Sequence, residues 1–443
     1  MKKLLFVNGR VVNEGRISEL DVLVSHGRID RLGTGPVPAG TDIVDLDGLH
    51  VLPGVIDDQV HFREPGMTHK ATIESESLAA ICGGVTSYLD MPNNSPPAVD
   101  RAALAAKKAL ASRSSYANFG FYLGATNGNV EELGRAAPSD ACGIKVFMGA
   151  STGNMLVDDA ATLDAIFSVA QLLVVTHCED SPMIRAAEQL ARERYGEDVP
   201  MSEHPRIRSA EACLKSSSLA VDLARRHGTR LHVLHLTTAR ELALFDAGPI
   251  AEKRITVEAC VHHLWFDETR YGDLGTRIKC NPAIKTAEDR RALIAAVNDD
   301  VIDIIATDHA PHTLEEKSRS YFSAPAGLPL VQHMLPMLLD QHRDGIFSLE
   351  TIVEKTAHNP ARLFRIEERG FIREGYVADL AIVDLHATTR VTSEAIRYKC
   401  GWSPLESCTL RAAVVMTVLG GEIVVDRGSV TGPPRGRALT FAR

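Results

Sequence analysis

Eight apolar, strand-like runs separated by helical stretches constrain this chain more than any other feature. The runs read GVIDDQVHF, VTSYLDMPN, NFGFYLGAT, GIKVFMGAS, QLLVVTHCED, RLHVLHLTT, ITVEACVHH and VIDIIATDHAPH. Between them lie Ala- and Leu-rich segments such as RAALAAKKALAS, AEACLKSSSLAVDLARRHG and AEDRRALIAAVNDD. Strand–helix alternation requires parallel strands with crossover helices. Eight such units over roughly 300 residues point to a (β/α)8 barrel. The alternative, a doubly wound open sheet, would normally carry a Gly-rich phosphate turn after its first strand, and none is present.

Both ends of the chain carry a different pattern. KLLFVNGRVV, DVLVSHGRIDRLG and TDIVDLDGLHVLPG are short β-like units, with Asn8-Gly9 and His26-Gly27 where two-residue hairpin turns belong. The pattern returns near the C-terminus in GYVADLAIVDL and AAVVMTVLGGEIVVDRG. Neither set is large enough to be stable alone. The fold class expected is therefore α/β: a TIM barrel over residues 53–371, with a small composite β-sandwich from residues 1–52 and 372–443.

A net charge of −9 argues against a nucleic-acid partner. Asn8 and Gly9 cut the N-terminal apolar run short of a signal-peptide core, and no apolar stretch reaches the roughly 20 residues of a membrane span. The eight cysteines show no CxxC and no compact framework, which reads as reduced thiols and a cytoplasmic location. Cys178, beside His177, is read as structural.

Nearly every candidate strand ends in a reactive group: His61, Asn93, Lys145, His177, His235 and Asp308. Barrel enzymes build their active sites from these strand ends. On the first strand, Asp57, Gln59, His61 and Arg63 occupy alternate positions and are expected to share one face. Asp58 is expected on the other face. Three imidazoles and a carboxylate suit zinc or a similar divalent ion. Lys145 reads either as a buried lysine paired with an acid or as a carbamate, formed when CO₂ adds to the neutral amine.

In combination and in order, VHFREPG, MPNN, KVFM, THCED, HLTT, NPAIKT and TDHAPH resemble the dihydroorotase family of the amidohydrolase superfamily, over nearly the whole length. The resemblance implies reversible hydrolysis of dihydroorotate to N-carbamoyl-aspartate, a small-molecule reaction of pyrimidine biosynthesis, by a metal-bound hydroxide. It implies one or two zinc ions, with His61, Lys145 (as carbamate) and Asp308 on one, and Lys145, His177 and His235 on the other. Asp308 would also be the catalytic proton carrier. Substrate would be bound by Arg63, Asn93, Asn281 and His312, and Ser323–Gly327 matches a loop offering backbone groups. Arg63 favours dihydroorotase, because an allantoinase-like sequence is expected to have Asn there and a guanidinium grips a carboxylate bidentately. The family also implies a homodimer.

The sequence departs from the family pattern at Gln59, where a metal-binding histidine is usual. An amide oxygen is a weak zinc ligand, so a weaker first site, an altered metal preference or a single tightly held zinc is expected. Lys145 is a second variation, since some dihydroorotases have Asp there and hydantoinases have Lys. Two alternatives stay open: a related cyclic amidohydrolase of allantoinase or hydantoinase type, and a catalytically silent subunit supporting aspartate transcarbamoylase. His262 and His263 read as packing or loop groups, His69 as exposed, and Ala191–Ser209 as a surface loop with structural Arg206 and Arg208.

Overall fold

The computed structural model describes residues 3–149 and 155–442, so Ala150 and Ser151, the end of the GIKVFMGAS run, lie outside the described residues. All eight expected strands are present: β1 Val55–Val60, β2 Val85–Asp90, β3 Asn118–Phe121, β4 Ile144–Phe147, β5 Val174–His177, β6 Leu231–Val233, β7 Ile255–Cys260 and β8 Ile304–Ala306. A short continuation of β3, Leu123–Gly124, pairs with β4. Neighbouring strands pair in parallel throughout. Beyond β8, His309 bridges Val60, and the His61 N–H donates to the His309 carbonyl at 2.7 Å. The two ends of the series thus meet, giving the (β/α)8 barrel. Its strands read as unbroken apolar runs because nearly every residue in them is buried, against helices outside and side chains within.

Local sequence sets the helix starts. Thr72 caps Ile73–Cys82 with a capping box, Asp100 caps Arg101–Ser114, and Ser209 caps Ala210–His227, which ends at left-handed Gly228. None of the helices among the described residues is long and apolar enough to cross a membrane.

The β-sandwich draws on both termini. Its seven-stranded sheet runs Ser429–Val430, Glu422–Asp426, Ala413–Leu419, Leu380–Asp384, His50–Pro53, Arg10–Asn13, Arg16–Glu19, so a C-terminal strand pairs directly with an N-terminal one. The second sheet has four strands, all from the first 45 residues. Phe6, Val24, Val51, Leu380, Ile382 and Val418 form part of the apolar core that the two sheets share. Gly54 connects this sheet to β1 where no side chain fits: a Cβ there would lie 2.1 Å from the Thr86 hydroxyl. The chain from Val391 to Leu410 packs on the barrel instead, and buried Trp402 donates from Nε1 to the His312 carbonyl at 2.7 Å.

Two local expectations are corrected. Residues 191–209 are not a surface loop: helix Ser181–Tyr195 runs into them, and a 3-10 turn and the short helix His204–Ile207 follow. His204 is fully buried, with Nδ1 2.8 Å from the Tyr321 hydroxyl and Nε2 2.8 Å from the Cys280 carbonyl, so the polar segment is anchored from within. Strict alternation also fails on β1. Between Asp57 and Val60 three steps on β1 match two on β2, which is a bulge. Asp57 turns to the β8 terminus, where its carboxylate accepts from the Thr307 N–H at 3.2 Å and hydroxyl at 2.5 Å. Asp58 faces His232 and Glu258 inside the barrel.

Candidate functional site

At the C-terminal ends of the barrel strands lies a cavity of about 230 Å³ lined by Gln59, His61, Arg63, Asn93, Lys145, Phe147, His177, His235, Asn281, Asp308, Ala310, His312 and Pro325–Gly327. Every residue singled out above for metal, proton or substrate is in that lining. They arrive from several strand ends, with His61 and Arg63 following β1 and Asp308 and His312 following β8, which is how a barrel concentrates polar groups on one face. Arg63, His235 and Asp308 hold left-handed backbones, with φ of 65°, 41° and 45°. Such conformations cost free energy in non-glycine residues and persist where the surroundings over-determine them.

Hydrogen bonds fix the imidazoles. His61 gives its Nδ1–H to Asn93 Oδ1 at 2.7 Å, so the Nε2 lone pair faces Asp308 Oδ1 at 3.1 Å. His177 gives its Nε2–H to Glu179 Oε2 at 2.9 Å, and its Nδ1 accepts from His235 Nε2 at 2.9 Å, which leaves His235 Nδ1 buried with no partner among the described residues. Burial keeps His61 and His235 below the usual imidazole range; for His235 the charges of His177 and Lys145 add to it. Three imidazoles and a carboxylate converging on one cavity, with the His61 Nε2 lone pair turned to Asp308 and His235 Nδ1 left without a partner among the described residues, are a donor set that a shared cation completes. The donor set therefore fits a divalent metal.

Lys145 is almost wholly buried, with Nζ 4.7 Å from the centre of the Phe147 ring. Burial lowers it to about 8, offset in part by Asp308 and Glu258, so near neutrality a fraction is free amine. For Asp308, burial works upward, but the neighbouring His61, His262 and Lys145 outweigh it and hold the carboxyl low.

Gln59 is oriented by two contacts. Its Nε2 donates to Asp308 Oδ1 at 3.1 Å, and its Oε1 accepts from the Cys260 thiol at 3.8 Å. The amide thus presents a donor, not a lone pair, to the carboxylate.

The opposite wall is positive. Arg63 is 3% exposed, and its Nε donates to the Pro311 carbonyl at 3.1 Å. Burial lowers it to about 10, with Asp308, Asp90 and Glu316 supporting the charge. Lys70 donates to His312 Nδ1 at 3.0 Å, so the His312 proton sits on Nε2 and goes to the Ala326 carbonyl, also at 3.0 Å. Arg63 Nη2, 3.1 Å from that same Nε2, therefore meets another donor. Asn281 Oδ1 is buried with no hydrogen-bond partner among the described residues.

Supporting residues were missed from sequence. Glu179, which accepts the His177 Nε2–H, is clamped by Arg208 at 2.6 Å; burial works upward on it, but Arg208 and His177 bring it down to about 2. It stands two residues after His177, a spacing visible in THCED. Glu258 Oε1 accepts the His235 backbone N–H at 3.0 Å. Lys317 is fully buried and donates to the carbonyls of Lys279, Pro325 and Gly327 at 3.0, 2.9 and 2.8 Å, fixing the loop that edges the cavity. His262 and His263 are buried with rings 4.1 Å apart, outside the cavity lining, while His69 is exposed.

Comparison with known proteins places these residues in context. Residues 50–424 match the amidohydrolase family. A dihydroorotase of Pyrococcus abyssi is 34% identical over 437 residues, covering 98% of both chains. An allantoinase of Solibacter usitatus is 32% identical over 448 residues, covering 99% of this chain and 97% of its own. Among solved structures, the L-hydantoinase (dihydropyrimidinase) of Arthrobacter aurescens superposes with a TM-score of 0.93 at 27% identity, over 99% of this chain and 100% of that one.

Proposed function

The chain belongs to the amidohydrolase family, and from that premise we propose that it is a dihydroorotase, interconverting dihydroorotate and N-carbamoyl-aspartate. The observation that carries this reading is the Arg63 guanidinium, buried in the cavity wall with Nη2 turned toward a nitrogen that is already a donor. A substrate carboxylate is the acceptor this geometry lacks. Lys70, beside it, adds positive charge. The unpartnered Asn281 Oδ1 is placed to accept a ring N–H. Asn93 serves twice, lining the cavity and fixing the His61 tautomer.

His61, Lys145, His177, His235 and Asp308 are the residues we assign to zinc, with Lys145 as its carbamate. The fraction of free amine supports that modification, in which the amine nitrogen bonds CO₂ and releases one proton. A divalent cation held there supplies a lowered water pKa and polarisation of the amide carbonyl. The protein's own residues do the rest. Arg63 holds the substrate by its carboxylate and so sets which ring amide lies over the strand ends. Asp308 takes a proton from the attacking water and returns it to the ring nitrogen as the C–N bond breaks. In reverse, Asp308 takes a proton from the ureido nitrogen, which closes on the carboxyl carbon with loss of water.

The test is ultraviolet-monitored hydrolysis of dihydroorotate, allantoin and hydantoin by protein supplied with zinc, cobalt or manganese. Dihydroorotate is expected to be the preferred substrate. Absence of dihydroorotate turnover with all three metals would overturn the assignment, and preference for allantoin or hydantoin would move the chain to that branch.

A further inference from the structure

Inside the barrel, apart from the cavity, three fully buried groups converge from three strands: Asp58 on β1, His232 on β6 and Glu258 on β7. Their nearest ligand atoms all lie within 4.8 Å of one another. His232 Nε2 is 3.5 Å from Asp58 Oδ2 and 3.7 Å from Glu258 Oε2. Four buried atoms here, both Asp58 oxygens, Glu258 Oε2 and His232 Nε2, have no hydrogen-bond partner among the described residues. Buried polar atoms are almost always partnered, so four unmet atoms in one spot call for a group that satisfies them together.

The surroundings of His232 sharpen the problem. Its Nδ1 is held by the Thr256 hydroxyl at 2.8 Å, and that hydroxyl also lies 3.2 Å from the Leu231 carbonyl. Burial lowers His232, but the Asp58 and Glu258 carboxylates outweigh it and raise it to about 9, so the space between Nε2 and the two carboxylates takes a proton or a cation. The separations exceed a good N–H···O hydrogen bond. They approach the spacing of ligands around a tetrahedral ion, about 3.3 Å for bonds of roughly 2.0 Å. Metal-binding histidines are likewise held at the second ring nitrogen by a neighbour that fixes the ring, the place Thr256 occupies here.

We propose that Asp58, His232 and Glu258 form a metal site within the barrel, separate from the cavity, for one divalent cation of the zinc and cobalt class. Imidazole with two carboxylates favours that class over magnesium or calcium, which prefer all-oxygen sets. Asp58 Oδ1, also without a partner, completes the donor set by bidentate coordination. The remaining Glu258 oxygen keeps its bond to the His235 N–H at 3.0 Å, so the ion braces the backbone of a residue in the cavity above.

The test is X-ray diffraction at the cobalt edge from crystals of the full chain purified with cobalt, together with cobalt content per chain. An anomalous peak between Asp58 Oδ2, His232 Nε2 and Glu258 Oε2 is expected, distinct from any peak at the cavity. Asp58→Asn, which keeps the side-chain shape, is expected to hold one equivalent less than wild type. Anomalous density confined to the cavity, or the same content in both proteins, would overturn the site and leave a proton shared by the cluster. The wild-type map decides alone should Asp58→Asn fail to fold. Because neither readout uses turnover, failure here is distinct from failure of the dihydroorotase reading.

Discussion

At Gln59 an amide does what an imidazole would not: it donates to Asp308 while its own oxygen is engaged by Cys260. That hydrogen bond orients the Asp308 carboxylate without adding a strong ligand beside it. Gln59→His places an imidazole nitrogen at this position, and the expected result is a rise in zinc bound per chain, measured by elemental analysis after dialysis. Unchanged stoichiometry would mean that residue 59 does not face the metals. Arg63 governs substrate, not metal. Arg63→Ala removes a charge-assisted contact of about 3 kcal/mol, so kcat/KM for dihydroorotate is expected to fall about 10²-fold. Metal content should not change, since Arg63 contacts Pro311 and His312 and none of the assigned ligands. Loss of metal would show that the guanidinium also holds the ligand set together.

Between residue and domain, the loop edging the cavity depends on one buried cation. Lys317→Met keeps most of the side-chain stem but leaves the carbonyls of Lys279, Pro325 and Gly327 without their donor. A destabilisation of about 3 kcal/mol in urea unfolding is expected, with a raised KM and unaltered zinc content. A KM equal to wild type would mean that the loop keeps its shape without Lys317. Lys317 was not legible in sequence because a lysine in a polar helix reads as exposed. The barrel strands were legible, since burial on both faces makes them continuous apolar runs, and their terminal polar residues marked the cavity. Strand parity misled at one point: a bulge inserts a residue between Asp57 and Val60 with no glycine to announce it. That single residue turned Asp58 inward, and with it went the expectation that Asp57 shares the face of His61. The segment after β5 misled differently, because its few apolar residues, Ala191, Val199 and Ile207, are scattered in sequence yet cluster with Tyr321, and His204 is held by two long-range partners.

Over the whole molecule, the β-sandwich and barrel are tied by bonds that acid should break. His358, next to the barrel wall, gives its Nδ1–H to the Gly370 carbonyl at 2.6 Å and accepts the Glu14 backbone N–H on Nε2 at 2.9 Å. Glu14 sits in the hairpin between Arg10–Asn13 and Arg16–Glu19, so this bond joins the seven-stranded sheet to the barrel. Protonation of Nε2 would set two donors face to face. Burial, aided by the charge of Arg362 and opposed by the Gly370 bond, holds His358 at about 4 in the folded protein. The unfolded chain binds this proton from about pH 6.5 downward. Stability from His358 is therefore complete above pH 6.5 and lost as pH falls toward 4, at no more than about 1.4 kcal/mol per pH unit. His333, brought to about 4 mainly by burial, acts in the same direction. Urea unfolding at pH 7 and pH 5 measures the effect. His358→Gln, which cannot take up the proton, is expected to be less stable than wild type at pH 7 but to lose about 2 kcal/mol less between the two values. Comparing the two proteins cancels the protonation of the cavity histidines, which they share. If the variant declines as steeply as wild type, the acid-sensitive link between the sheets and the barrel lies elsewhere.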